Sequence, residues 1–224
     1  LMLTADEPHR FTAREIRPYR SLAGQLAVAV ENRRLFRQTQ EQLAEQAATA
    51  EEKSRLAEEL RARADELGVL NEMGAALASA IDPAVVIETV YRGTSRLLDT
   101  TNFYLARYDP ETQEVWFPIL IEENERRTIS PRRGGTGLTE HIIRSGQPLL
   151  LEDHVAEGLR ELGVTAIGPM ALSWMGVPVK VGSRVLGVLA LQSYKRAGHF
   201  GPRDCDLLLA IANQAAIALE NARL

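Results

Sequence analysis

SWMGVPVKVGSRVLGVLALQSYKRAGHFGPRDCDLLLAIANQAAIALENARL, residues 173–224, decides how the rest of the chain is read. Its first part alternates apolar and other side chains on both sides of Val181-Gly182-Ser183-Arg184, the pattern of two strands joined by a tight turn. Beyond Phe200 the apolar period lengthens to about 3.6, and residues 204–224 are expected to form a closing helix. Working outward, NFYLARYD (102–109) and EVWFPILI (114–121) are rich in β-formers and flank Asp109-Pro110, so a second hairpin is expected. Between the hairpins, residues 122–137 are charged and then Gly-rich, and read as a loop. LTEHIIRSG (138–146) reads as a short helix ended by Gly146, QPLLLED as a short strand and VAEGLRELG as a further helical turn. Upstream, Asp82-Pro83 offers a cap and a proline at the first helical position. Val86, Ile87, Val90, Tyr91, Thr94, Leu97 and Leu98 then trace one apolar stripe. Helices at both ends with antiparallel strands between them define an α+β class.

The first third of the chain is different in kind. Thr12-Ala-Arg-Glu15 has the spacing of a capping box, so a helix should begin near Ala13, with a bend or a late start at Pro18. Between Gly24 and Gly68 there is neither Gly nor Pro, and the residues are mostly Glu, Gln, Ala, Arg and Leu. Glu51/Arg55 and Glu59/Arg63 are i,i+4 pairs in the favourable order. Unbroken to about residue 80, such a helix would reach on the order of 100 Å at 1.5 Å per residue. Leu43, Ala50, Ala57, Leu60, Ala64 and Leu67 fit a and d positions, Asn71 falls at the next a, and Phe36 extends the register backwards. Gln46 and Lys53 interrupt the seam. A solvated single helix bridging two domains is one reading. A parallel coiled-coil homodimer, its register fixed by a buried Asn, is the reading favoured by the seam.

The chain also repeats itself. QLAVAVENRRLF (25–36) matches QAAIALENARL (214–224), and Phe11 stands over Phe200, at one constant offset of 189 residues without gaps. That is far longer than the roughly 20–50 residues of a solenoid repeat, and has the size of a domain plus a linker.

Composition narrows the function classes. The chain is 45% hydrophobic and 25% charged with a net charge of −4, which gives no basic face for nucleic acid. No apolar run approaches the roughly 20 residues that span a bilayer, and no stretch has the make-up of a signal peptide. The single cysteine, Cys205, excludes an intrachain disulfide framework and a cysteine-cluster zinc site, and is compatible with a cytoplasmic location.

From about residue 67 to 224 the sequence resembles the GAF domain of bacterial signalling proteins. The resemblance rests on GGTGLTEHIIRSGQPLLLED (134–153) and on residues 173–224. In order and at normal spacing these show a Gly-Leu-Thr helix, a GxPLxxxD run, a Ser followed by Val-Pro, GVLxL, a Phe, an acidic residue and a final QxAxAxxN. The fold it implies is a central antiparallel sheet flanked by helices. The N- and C-terminal helices cover one face, and short helices and loops on the other enclose a small-molecule pocket. Under this resemblance residues 1–36 are the last strand and closing helix of a preceding GAF domain, 37–66 a helical linker and 67–224 a complete domain. The implied partners are a second copy of the chain through the helices, the upstream GAF domain, and a downstream output domain such as a histidine kinase or cyclase. The implied role is a non-catalytic sensor that relays a signal through helices. Alternatives are a haem or other chromophore-binding or redox domain, and a dimerisation module without ligand.

Candidate pocket residues are Tyr104, Phe117, Thr136, His141, His154 and Trp174. His141 and His154 lie in the pocket region, where imidazole can ligate haem or metal, but no HxxxH or carboxylate cluster accompanies them, so no metal site is expected. His9 and His199 read as surface residues just ahead of the repeated phenylalanines. Cys205 reads as an inert thiol, because Asp204 and Asp206 oppose its ionisation and no His follows it as in bilin-attaching relatives. The Asn-Lys dipeptide of cyclic-nucleotide-binding members is missing. The loop RRTISPRRGGTG places Arg126, Arg127, Arg132 and Arg133 ahead of a helix start, which suggests either an anion site or a solvated loop. No nucleophile–base pair or phosphate-transfer signature is present, so no enzyme activity and no defined cofactor are expected; an unidentified small molecule is left open as a ligand.

Overall fold

The computed structural model describes residues 12–222, with Glu15 described by its backbone alone. His9, Phe11, the final Arg223 and Leu224, and any strand ahead of residue 12 lie outside the described residues. The chain divides into two units at Arg63/Ala64.

In the first unit every residue from Ala13 onward belongs to helix α1 (Ala13–Ala78). The helix starts at Ala13, not after Pro18. Pro18 sits in the second turn, where its missing N–H costs one bond to the residue four positions earlier and the neighbouring bonds hold. The Glu59/Arg63 pair forms at 3.2 Å, whereas Arg55 reaches Glu52 at 2.8 Å rather than Glu51. Thr39 and Thr49 return their hydroxyls to the carbonyls of Leu35 and Glu45, which keeps them compatible with a helix. The apolar side chains here, Leu22, Leu26, Phe36, Leu43 and Leu60 among them, are exposed.

The second unit holds the end of α1, helix α2 (Pro83–Leu97), strands β1 (Phe103–Asp109), β2 (Glu114–Glu122), β3 (Glu125–Arg126) and β4 (Arg132–Arg133), helix α3 (Leu138–Ser145), β5 (Leu149–Leu151), α4 (Val155–Glu161), β6 (Ser173–Val181), β7 (Arg184–Ser193) and α5 (Pro202–Asn221). The strands form one antiparallel sheet in the order β3-β2-β1-β7-β6-β5, with β4 also on β2. β3 and β4 lie in the segment expected to be all loop; strands of two residues are made by pairing with β2, not by local pattern. The caps are local chemistry: Asp82 accepts from the Ala84 N–H at 2.8 Å, and the Gly201 N–H donates to Asp204 at 2.9 Å, starting α5 at Pro202.

Alternation divides the sheet into two faces. Phe103, Leu105, Ile119, Ile121, Met175, Val177, Leu189 and Leu191 join Met73 and Leu77 of α1, Val86 and Val90 of α2, and Leu208, Ile211, Ala215 and Leu219 of α5 in the main core. Their neighbours Tyr104, Ala106, Leu120, Trp174, Val188 and Ala190 face the other way, with Ile142 of α3. Each fully buried aliphatic or aromatic side chain contributes about 1.5–3 kcal/mol, so the larger cluster carries most of the stability.

Two irregularities matter. Leu105 pairs with Ile119 and Arg107 with Trp116, so Ala106 alone faces both Phe117 and Pro118, a bulge in β2. Pro118 has no N–H to donate, which suits a bulge. The extra residue turns Phe117 and Val115 onto the face of Tyr104, where strict alternation from Ile119 would have turned them away. On the helix side Gly93 touches α1 so closely that a Cβ there would stand 2.4 Å from Met73 Sδ. Glycine is therefore part of the buried stripe of α2 that the apolar pattern alone omits.

Candidate functional site

The second face of the sheet encloses a cavity of about 220 Å³. Its floor is Tyr104 of β1, Phe117 and Leu120 of β2, Trp174 of β6, and Gln192 and Tyr194 at the end of β7. Leu138, Thr139 and Glu140 from the first turn of α3 form one wall, and the exposed loop 165–170 with buried Ala171 forms another. Arg132 reaches in from β4.

The Tyr104 hydroxyl lies 2.9 Å from Thr139 Oγ1, and burial pushes its phenol up to about 12, so it is a neutral hydrogen-bonding group at ordinary pH. Its ring meets Phe117 edge-on with centroids 5.5 Å apart. The Arg132 guanidinium stands 5.7 Å from the Phe117 ring centroid and donates to Glu140 Oε1. Glu140 is only 4% exposed, and its second oxygen is buried without a hydrogen-bond partner among the described residues. At the end of β7, burial and then the Glu122 carboxylate push the Tyr194 phenol up.

Of the six expected pocket residues, Tyr104, Phe117 and Trp174 line this cavity and Thr136, His141 and His154 do not. Thr136 instead bonds Thr165 twice, hydroxyl to hydroxyl at 3.1 Å and through its carbonyl at 2.9 Å, tying the turn before α3 to the loop before β6. His141 lies half-buried on α3. His154 is exposed at the start of α4 in the left-handed region, φ 48°, with Nδ1 3.0 Å from Asp153, whose carboxylate raises its pKa. The described cavity lining contains no histidine and no cysteine, so it offers neither an imidazole nor a thiolate ligand for haem and no thiol for attachment. Among the described residues no group of three or more His, Cys, Asp or Glu could hold a metal, and no helix is long and apolar enough to cross a membrane.

The other singled-out residues fall elsewhere. His199 is not a simple surface residue: Nε2 is 2.7 Å from Asp99, and the ring packs edge-on against Phe200. Thr101 holds the Asp99 carboxyl below its ordinary range, with His199 adding to the effect. Burial, then Asp206 and Asp204, push the Cys205 thiol up, away from the reactive thiolate. Three of the four arginines of the loop are engaged in ion pairs, while Arg133 is exposed on β4. Arg126 pairs with Glu88 at 2.6 Å, Arg127 with Glu125 at 2.9 Å, and Arg132 with Glu140. Glu140 was not legible as a site residue: on α3 it lies about 160° from buried Ile142, which reads as the solvent side. Arg132 was visible as a candidate cation, but its partner was not.

The profile of the GAF domain matches residues 82–219. The chain belongs to the GAF domain family. Solved structures of the same fold include the GAF domain of an Acinetobacter phosphoenolpyruvate-protein phosphotransferase, at 17% identity and TM-score 0.52 over 70% of this chain and 93% of that one. The free methionine-R-sulfoxide reductase of Neisseria meningitidis, solved with its substrate, matches at 19% identity and TM-score 0.52 over 70% and 90%. A segment of a methyl-accepting chemotaxis protein matches at 15% identity and TM-score 0.54 over 67% and 96%. GAF domains are sensory and regulatory modules, generally regulatory rather than catalytic. The GAF domain here keeps that architecture: helices on one sheet face, a small cavity on the other.

Proposed function

We propose that this chain is a non-catalytic sensory and dimerisation segment of a larger signalling protein, in which the GAF cavity takes a small molecule and helix α1 pairs with its counterpart in a second copy. The observation that carries the sensory part is the sharing of strands between the faces. Tyr104 and Trp174 line the cavity, while their chain neighbours Phe103 and Met175 sit in the core against α1, α2 and α5. A ligand that shifts β1 or β6 therefore acts on both faces at once. Coupling of this kind needs two helix arrangements that differ by only a few kcal/mol, and the seam broken by Gln46 and Lys53 suits that requirement.

Helix α1 supports the pairing. Phe36, Leu43, Ala50, Ala57, Leu60, Ala64, Leu67 and Asn71 are all exposed on it, at a and d spacing. The same exposure supports a preceding GAF domain, since residues 25–35 repeat the sequence of the buried closing helix α5. Sedimentation equilibrium tests the proposal. The chain is expected to dimerise and the double variant Leu43→Glu/Leu60→Glu to run as a monomer with an intact GAF fold. A wild-type monomer at high concentration sinks the helical relay.

A further inference from the structure

Resting on that reading of the cavity, we infer that its ligand is a small organic cation, an apolar or aromatic body carrying a protonated amine or similar N–H donor, which Glu140 recognises.

The argument begins with an imbalance of charge. Among the residues lining the cavity only Glu122, Arg132 and Glu140 carry charge, which leaves one negative charge in excess. The single positive group is already engaged, donating to Glu140 Oε1 and lying over the Phe117 ring. Among the described residues Glu122 has only a loose ion-pair contact, with Arg127 at 3.9 Å. An anionic ligand would therefore meet two carboxylates and an arginine held by one of them. A cationic one meets complementary charge.

The second step concerns Glu140 Oε2. A carboxylate oxygen buried with no partner carries its desolvation cost uncompensated, so it calls for a donor. The helix end explains the presence of an acid here, because Glu140 is the third residue of α3 and faces the positive end of its dipole. The Arg132 pair explains Oε1. Neither explains Oε2. The surroundings of this oxygen are tight: a Cβ built on Gly137 would stand 2.8 Å from Oε2 and 2.7 Å from Ile167 Cδ1, so glycine lets the carboxylate and Ile167 pack there. Ile167 belongs to the exposed loop before β6, and it is the side chain that must give way for a donor to reach Oε2 from the cavity.

The remaining walls suit the body of such a ligand. Tyr104, Phe117, Trp174 and Tyr194 supply aromatic surface, whose faces attract cations. Tyr104 and Thr139 share one hydrogen bond, and the hydroxyl that accepts in it keeps its own O–H for an acceptor on the ligand.

Three probes of one shape and different charge test this in the whole chain by calorimetric titration at neutral pH: phenethylamine, ethylbenzene and 3-phenylpropanoate. Phenethylamine is expected to bind most tightly. Glu140→Gln should weaken it at least about tenfold, the scale of one hydrogen bond to a charged group, and leave ethylbenzene unchanged. Arg132→Gln, which frees both carboxylate oxygens, should keep or strengthen phenethylamine binding, so the test survives if Glu140→Gln fails to fold. Equal or tighter binding of 3-phenylpropanoate overturns the inference, as does loss of phenethylamine binding in Arg132→Gln. Ethylbenzene binding without a preference for the amine leaves the cavity a ligand site and removes only the cation. Failure of all three probes removes the ligand site and the inference together.

Discussion

Residues 22–30 of α1 and residues 211–219 of α5 carry the same helical pattern, yet their burial is opposite. Ile211, Ala215 and Leu219 are 0–1% exposed against the sheet. At the same offset in α1, Leu22 is 49% exposed, Leu26 51% and Val30 67%. A sequence pattern states which face a helix needs to cover; it does not supply the cover. In α5 the sheet of this GAF domain does so. In α1 no described residue does, and the second copy or preceding domain proposed above would supply that cover.

The most direct way to break that comparison is to truncate matched positions. Ile211→Ala is expected to cost about 2–5 kcal/mol, the range for a large-to-small change in a packed core, measured by chemical denaturation of the GAF domain transition. Leu22→Ala should leave that transition within about 0.5 kcal/mol, as for an exposed surface site. A large loss from Leu22→Ala would show that this stretch is covered in solution, and would locate the missing partner there.

The same contrast shows what can be read from a sequence and what cannot. Strand alternation and caps are local, so the two hairpins, the Asp82 cap and the closing helix could be placed without a structure. The bulge at Pro118 could not, because it depends on which residues of β1 stand opposite, and it alone brings Phe117 into the cavity. β3 and β4 escaped for the same reason. Gly93 escaped because an apolar count ignores glycine, although closeness to Met73 is what glycine provides. Glu140 escaped because helical periodicity puts it on the solvent side, while Arg132 and the loop before β6 cover it. Thr136 is tied to Thr165, His141 sits half-buried on α3 and His154 is exposed at the start of α4, so none lines the cavity, and residue type alone does not show this.

Within α1 itself the comparison can be sharpened at its other end, where Met73 and Leu77 are buried against α2 and α5. Gly93→Ala places a methyl group 2.4 Å from Met73 Sδ. Because methionine is long and flexible, part of the clash can relax, and a loss of about 1–3 kcal/mol is expected. Gly24→Ala, in the part of α1 where a Cβ meets nothing within 4 Å, should instead stabilise the helix by about 0.5–1 kcal/mol through its propensity alone. Thermal unfolding followed by circular dichroism would register the two changes with opposite sign. A stabilising Gly93→Ala would mean that the end of α1 is not held against α2 as described.

A further expected effect lies on the cavity face and is read through pH. Tyr104 is pushed up to about 12 by burial, from an ordinary value of 10.0. A phenol whose folded value is raised favours the neutral native state, so its contribution is fully present below pH 10 and is lost as the pH climbs through about 12. The size is at most about 3 kcal/mol, from a shift of this extent. Stability measured by denaturant titration across this window should therefore fall, and Tyr104→Phe should flatten the fall. The variant itself should cost about 1 kcal/mol at neutral pH, because Thr139 Oγ1 loses its 2.9 Å partner. An unaltered slope in Tyr104→Phe would place the titration on another group and leave the cavity floor open to water. An unaltered slope with Tyr104 ionising near 10 by ultraviolet difference absorption would show directly that the ring is solvated, and the contrast between a closed cavity face and a bare α1 face would then fail from the cavity side.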